Sequence, residues 1–222
     1  MCLLFVSYRS TPGHRLVVAA NRDEFLDRPT AALNYLDAEQ MILAGQDLEG
    51  GGTWLGITRN GKFGAITNYR EPAHQLLNAP SRGEILLNYF RGNSGAGGFL
   101  EKLTLTADQY NGFNLVLSDG GGLYYYSNRI PKPQQLQPGF YGLSNHLLDT
   151  PWPKVIRGKE LLTPHMATTE TIKPEILIDL LGDSWRPQDS KLPDTGVPLE
   201  WERLLSPIFI NSPTYGTRST AV

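Results

Sequence analysis

Cys2-Leu3-Leu4-Phe5-Val6-Ser7-Tyr8, then Thr11-Pro12-Gly13-His14, then Leu16-Val17-Val18-Ala19-Ala20, is the stretch that decides the fold. The first segment is rich in strand formers. Adjacent proline and glycine mark a turn, since one fixes φ and the other accepts either sign. The third segment is a continuous apolar run, the pattern of a buried strand. Together they read as a hairpin, with Cys2 across from the end of the apolar run. That run stops at Asn21-Arg22-Asp23-Glu24. Four polar residues after a buried strand must face a cavity, a partner or solvent.

Cys2 is the single cysteine in 222 residues. A solitary thiol serves most simply as a small buried hydrophobe. Position 2 opens a second reading. Cysteine is small enough for the initiator methionine to be trimmed, which leaves a thiol and an α-amine on one residue. The thiolate is the nucleophile, and an α-amine with a pKa of about 7.7–8.0 can take a proton near neutrality. Nucleophile and base would then be one amino acid.

Composition narrows the classes. The chain is 40% hydrophobic and 19% charged, with a formal charge of −2. It should fold, as one domain spanning 1–222, and it carries no basic footprint for nucleic acid. One cysteine excludes an internal disulfide framework and a cysteine-rich zinc site. No apolar run reaches the ~18 residues of a membrane span. A reduced compartment, most simply the cytoplasm, is the expectation.

Outward from the hairpin, Met41–Ala44 and Thr53–Ile57 read as short strands. Asn60-Gly61 joins the latter to a strand over Lys62–Thr67 that ends at Asn68. Gly50-Gly51-Gly52 lacks the Gly-Lys-Ser/Thr of a phosphate loop, so it reads as an unusual backbone turn. Ser81-Arg82-Gly83-Glu84 fits a capping box ahead of a helix through Phe90, and a weaker helix follows over Gly97–Leu105. Strands over Asn114–Leu117 and Leu123–Tyr126 flank Asp119-Gly120-Gly121-Gly122. Pro131–Pro138 reads as an irregular connection, and Phe140–Leu143 as a strand before Ser144-Asn145-His146. Helices are expected over Trp152–Leu162 and Pro174–Leu181, a loop over Asp183–Pro198, and a last pair of strands at Pro207–Ile210 and Thr214–Val222. Strands, then helices, then strands indicate an α+β domain with antiparallel sheets.

Several polar residues admit two readings. Asn21–Glu24 is either a charged turn or a site in which Asp23 hydrogen-bonds the α-amine of processed Cys2 and Arg22 steadies a carboxylate or the thiolate. Asn68 and Asn145 each end a strand, where asparagine caps turns but can also donate to an oxyanion. Arg218 is either an edge-strand arginine or a site residue. The four histidines show no metal-ligand spacing.

The chain resembles the NRDE, or transport-and-Golgi-organisation, family nearly end to end. The resemblance rests on Met1-Cys2, Ala19-Ala20-Asn21-Arg22-Asp23-Glu24-Phe25, Arg28-Pro29, Leu43-Ala44-Gly45 with Asp47, and Gly51-Gly52-Thr53-Trp54-Leu55-Gly56. It continues through Thr67-Asn68-Tyr69-Arg70, Ser81-Arg82-Gly83, Gly142-Leu143-Ser144-Asn145 and Tyr215-Gly216-Thr217-Arg218-Ser219. The resemblance implies a fold like the N-terminal nucleophile hydrolases: a four-layer αββα sandwich of two antiparallel sheets between helices. The closest chemical analogue is similar to the choloylglycine hydrolase and penicillin-acylase-like group. By that likeness the catalytic set falls on Cys2, Asp23, Asn68, Asn145 and Arg218, with Arg22 beside Asp23; the group's early arginine normally stands at the position of Ala20. Family chains usually run past the Tyr-Gly-Thr-Arg-Ser motif, which implies a missing final strand or an incomplete sequence.

Two functions follow. One is an N-terminal-cysteine amide hydrolase or acyltransferase on a non-peptide C–N bond, needing no cofactor. The other, implied by the family's eukaryotic members, is a non-enzymatic carrier of haem or an acyl lipid, with Cys2 and His146 as candidate haem ligands.

Overall fold

The computed structural model describes residues 2–39, 41–167 and 171–222, and of Cys2 the backbone alone. The chain divides into two compact units. Unit 1 comprises Met1–Leu26, Arg70–Ala73 and Gln137–Val222; unit 2 comprises Asp27–Tyr69 and His74–Leu136.

In unit 1, strands β1 (Cys2–Thr11) and β2 (His14–Phe25) form the expected hairpin, closed by Gly13 at φ +74°. Strand β10 (Gly139–Leu143) pairs with β1, and β11 (Tyr215–Ala221) with β2, giving the antiparallel order β10-β1-β2-β11. Helices α3 (Pro153–Met166), α4 (Pro174–Leu181) and α5 (Leu199–Leu204) complete the unit. Proline opens α3 and α4, where its missing N–H has no partner to lose. Alternate residues Leu3, Phe5, Val17 and Ala19 share one sheet face and pack on Val155, Leu162 and Met166 of α3 and Leu177 and Leu181 of α4. Each fully buried side chain of this size stabilises the fold by about 1.5–3 kcal/mol. Gly158 lets α3 approach the sheet: a Cβ there would sit 2.0 Å from the Phe5 ring.

In unit 2, seven antiparallel strands run in the order β3-β4-β5-β6-β7-β8-β9. They are β3 (Thr30–Tyr35), β4 (Ile42–Asp47), β5 (Leu55–Thr58), β6 (Phe63–Asn68), β7 (Phe113–Ser118), β8 (Leu123–Ser127) and β9 (Gln134–Leu136). Helix α1 (Gly83–Arg91) presents Ile85, Leu86, Tyr89 and Phe90 as one apolar stripe. These residues join Leu100 and Leu103 of α2 (Ala96–Leu103) and Phe113, Leu115 and Leu117 of β7 in the core.

The two antiparallel sheets with their helices give the α+β architecture read from the sequence. Several local expectations need correction. Asn21–Glu24 does not end the second strand: β2 continues through it to Phe25, with β11 pairing alongside. Cys2 therefore pairs with Arg22, two residues beyond the apolar run. The capping box does not form, for α1 has Arg82 as N-cap and no side-chain cap bond. Pro207–Ile210 is not a strand. The Phe209 N–H donates to Asp183 O and the Ile210 N–H to the side chain of Thr217 in β11, so its backbone is satisfied by single contacts and not by a strand ladder. Helix α5 and the edge strands β3 and β9 were not expected; the edge strands are largely exposed and lack the inward apolar alternation that reveals a strand.

Candidate functional site

The polar run of β2 is buried, and its neighbours differ with the face of the strand. Asn21 and Asp23, two apart, lie on the same face as Ala19. The Asn21 side-chain amide donates to Leu181 O at the end of α4 and to Ile208 O, each at 2.9 Å, and its Oδ1 accepts from Thr220 Oγ1 at 2.7 Å. Asn21 thus ties the strand to the helical layer of its own unit. Asp23 is 0% exposed. Its Oδ1 accepts from Thr217 Oγ1 at 2.7 Å, and Lys154 Nζ stands 3.9 Å from its Oδ2.

Lys154 sits in the first turn of α3, where the helix dipole disfavours a cation. It is also buried. Both penalties are explained by the Asp23 charge opposite. Burial pushes the Asp23 carboxyl above its ordinary range, while Lys154, the Thr217 hydroxyl and the Arg70 charge pull it back.

A second buried ion pair belongs to the same unit. Arg70 Nη1 donates to Glu202 Oε2 of α5 at 2.7 Å, and the guanidinium lies 4.7 Å over the Trp152 ring. Glu202 also accepts from the backbone N–H and the hydroxyl of Thr195. The Arg70 N–H donates to Asn145 O at 2.7 Å, so this segment fixes the backbone on which Asn145 rides. Burial lowers the Arg70 pKa, with Glu202 opposing.

The residues singled out in the sequence fall as follows. Asp23 and Asn145 are wholly buried in unit 1. Ser144 Oγ approaches Asn145 Oδ1 at 3.4 Å. Arg22 pairs with Cys2 in backbone register and lies 3.7 Å from Glu24, on the strand face opposite Asp23. Arg218 is the extra residue of a β-bulge between Thr217, opposite Asp23, and Ser219, opposite Arg22. A bulge re-aims the side chain it carries, and Arg218 Nη1 donates to the carbonyls of Phe25 and Leu26 at 3.0 and 2.6 Å. It clamps the end of β2. Asn68 ends β6 in unit 2, paired in register with Phe113. The Cys2 side chain lies outside the described residues. His146 Nδ1 shares a hydrogen bond with Thr150 Oγ1 at 2.9 Å, its ring tilts against Trp152, and burial lowers its pKa.

Sequence reading passed over Lys154, Arg70, Glu202 and Thr217 as site residues. Arg70 and Thr217 stand in quoted motifs, beside residues that received roles. Lys154 and Glu202 carry one local signal each: a cation in the first turn of a helix, and an acid next to a tryptophan on a short amphipathic segment. Neither signal identifies a partner.

A family model and several relatives match the whole chain. The family model described as Transport and Golgi organisation 2 matches residues 1–222. The mouse Transport and Golgi organization 2 homolog is 36% identical over 242 residues, covering 100% of this chain and 87% of that protein. The human homolog is 35% identical over 243 residues with the same coverage. The Drosophila melanogaster protein is 31% identical over 253 residues. Among solved structures, a Caenorhabditis elegans ortholog of N-acylethanolamine-hydrolyzing acid amidase covers 81% of this chain and 85% of its own, at 10% identity and a TM-score of 0.45. With the family model spanning every residue and relatives above 30% identity along the full length, the chain belongs to the Transport and Golgi organisation 2 family.

Proposed function

We propose that the protein is an N-terminal-cysteine amide hydrolase or acyltransferase acting on a non-peptide C–N bond. The observation that carries this reading is the fully buried Asp23, held by Thr217 and Lys154 one residue beyond Arg22, the backbone partner of Cys2. A completely buried carboxylate with its own buried cation is expensive to maintain for stability alone. It supports a role in orienting a nearby amine.

In this reading removal of Met1 leaves Cys2 with an α-amine, which Asp23 orients. The amine accepts the thiol proton, and the thiolate attacks the amide carbonyl. Asn145 is the oxyanion donor on unit 1, held by Arg70; Asn68 is the second candidate by its place at a strand end. The C–N bond breaks, the leaving amine takes the proton back, and an acyl thioester remains on Cys2. Water, or an acceptor amine, then attacks that thioester and regenerates the thiol. Arg22 and Arg218 hold the ends of the β2 segment on which Asp23 stands.

A screen of N-acyl substrates against wild type and Cys2→Ala tests the proposal. Cleavage by wild type alone is the expected result. Cleavage that survives Cys2→Ala, or an intact mass showing Met1 retained on an active protein, overturns it.

The carrier reading, with haem or a lipid as cargo, draws on no comparable feature. His146 already bonds Thr150 through Nδ1 and packs on Trp152, an arrangement that serves the fold and does not distinguish a haem ligand.

A further inference from the structure

The Arg70 guanidinium is more than nine-tenths buried, and it cannot shed its proton to escape the cost of burial. Nη1 is taken by Glu202. Nε and Nη2 have no hydrogen-bond partner among the described residues. Interiors rarely leave such donors unsatisfied. Arg70 lines a small, partly open cavity of about 10 Å³ together with Lys154, Glu202 and Ser206 and the apolar Trp152 and Leu205. That is about the volume one water requires, and the walls supply the polar partners such a water needs. Lys154 is also the cation beside Asp23.

We propose that this cavity holds one ordered water, which accepts from Arg70 and Lys154 and donates to Glu202, and that Glu202, Arg70 and Lys154 thereby act together as positioning residues for Asp23. The four charges run carboxylate, ammonium, guanidinium, carboxylate, so the two cations meet at the water and each is backed by its own acid. The water joins two ion pairs that would otherwise be separate. The inference rests on the proposed role of Asp23 for its functional meaning, but its test does not involve the reaction.

Asp23 faces Lys154 from α3, Thr217 from β11 and the Arg70 charge, while Glu24 and Arg22 flank it on its own strand and Tyr215 lies in the field of Arg70. The test is a titration of the Asp23 carboxyl followed by carbon NMR of the intact protein. Lys154→Met removes a nearby cation and moves the Asp23 midpoint to higher pH, by about one unit or more. Glu202→Gln leaves the Arg70 charge uncompensated and moves the midpoint to lower pH. Lys154→Arg stays near wild type. A local packing defect has no reason to produce opposite shifts. Two shifts of the same sign, or none, overturn the proposal.

Wild-type protein gives a second test that needs no variant. A high-resolution crystal structure should show one water within hydrogen-bond distance of Arg70 Nε or Nη2. A dry cavity, or a chloride identified by its anomalous signal, overturns the proposal even where Lys154→Met fails to fold. The titration can succeed while N-acyl cleavage is absent, so the failure of this inference and that of the proposed function are told apart.

Discussion

Each unit holds an aspartate near the end of a strand, Asp23 inside β2 and Asp47 at the end of β4, and the two are treated in opposite ways. Asp23 in unit 1 is sealed from water, faces a buried lysine, and is pushed above its ordinary pKa by burial. Asp47 in unit 2 is half-buried at the last position of β4, ahead of the glycine turn. Burial opposes its charge too, but the N–H groups of Gly50 and Glu49 and the Arg28 guanidinium prevail and hold its carboxyl below the usual range. Asp47 folds the Gly50-Gly51-Gly52 turn around itself, with Gly51 at φ +71°. One aspartate is stabilised by what it organises; the other bears the cost of burial, offset in part by Lys154, Thr217 and the Arg70 charge. A buried charge whose neighbours must also be buried marks a site better than a well-solvated charge that simply closes a loop.

The largest effect expected from this contrast is on Asp23. Lys154→Met leaves the Asp23 charge buried without its cation and should destabilise the fold at neutral pH by about 3–5 kcal/mol. The double variant Asp23→Asn with Lys154→Met should recover most of that in a urea titration, yet remain inactive toward any substrate the wild type cleaves. Full activity in the double variant would remove Asp23 from the chemistry. Next, Asn145→Ala and Asn68→Ala should each lower kcat by about 10²-fold, the usual worth of one oxyanion donor. An unchanged kcat in either deletes that residue from the mechanism.

Asp47→Asn should weaken the Arg28 pair and cost about 1–2 kcal/mol, with N-acyl cleavage unaffected once the protein is folded. The two acids also predict opposite pH dependences. Asp47, with its folded pKa below 3.8, contributes stability at pH above the unfolded value, and that stability is lost as pH falls through the lowered folded pKa. Asp119, held low by the N–H groups of Ala96 and Gly121 despite its burial, adds to the same acid limb. Asp23, with its folded pKa raised, contributes most below 3.8, and that contribution is lost as pH rises through the raised value. Urea midpoints measured from pH 2 to 7 should therefore lose part of their acid dependence in Asp47→Asn. The Asp23 and Lys154 double variant should keep that limb. Identical profiles for both variants would erase the distinction between the two acids. The smallest effect is at Gly51: Gly51→Ala forces a left-handed alanine and should cost about 1 kcal/mol by thermal melt.

Period-2 patterns, the Asn60-Gly61 turn and the prolines at the starts of α3 and α4 were legible because they are local, so the hairpins, the main helices and the antiparallel α+β class followed from the chain itself. Motif order carried the family. The edge strands β3 and β9 were not legible, for their exposure gives them no apolar face to advertise. Asn21–Glu24 read as the end of a strand because polarity usually ends one; β11, distant in sequence, pairs beside it and makes burial possible. The same holds for the site. Asp23, Asn68 and Asn145 could be nominated from their places after apolar runs. That Lys154 faces Asp23, that Arg70 and Glu202 form a buried pair, and that a bulge turns Arg218 onto the carbonyls of Phe25 and Leu26 were decided only by tertiary structure. Charge pairing depends on distance in space, and the residues concerned come from segments whose separation along the chain carries no record of where helices and strands will bring them.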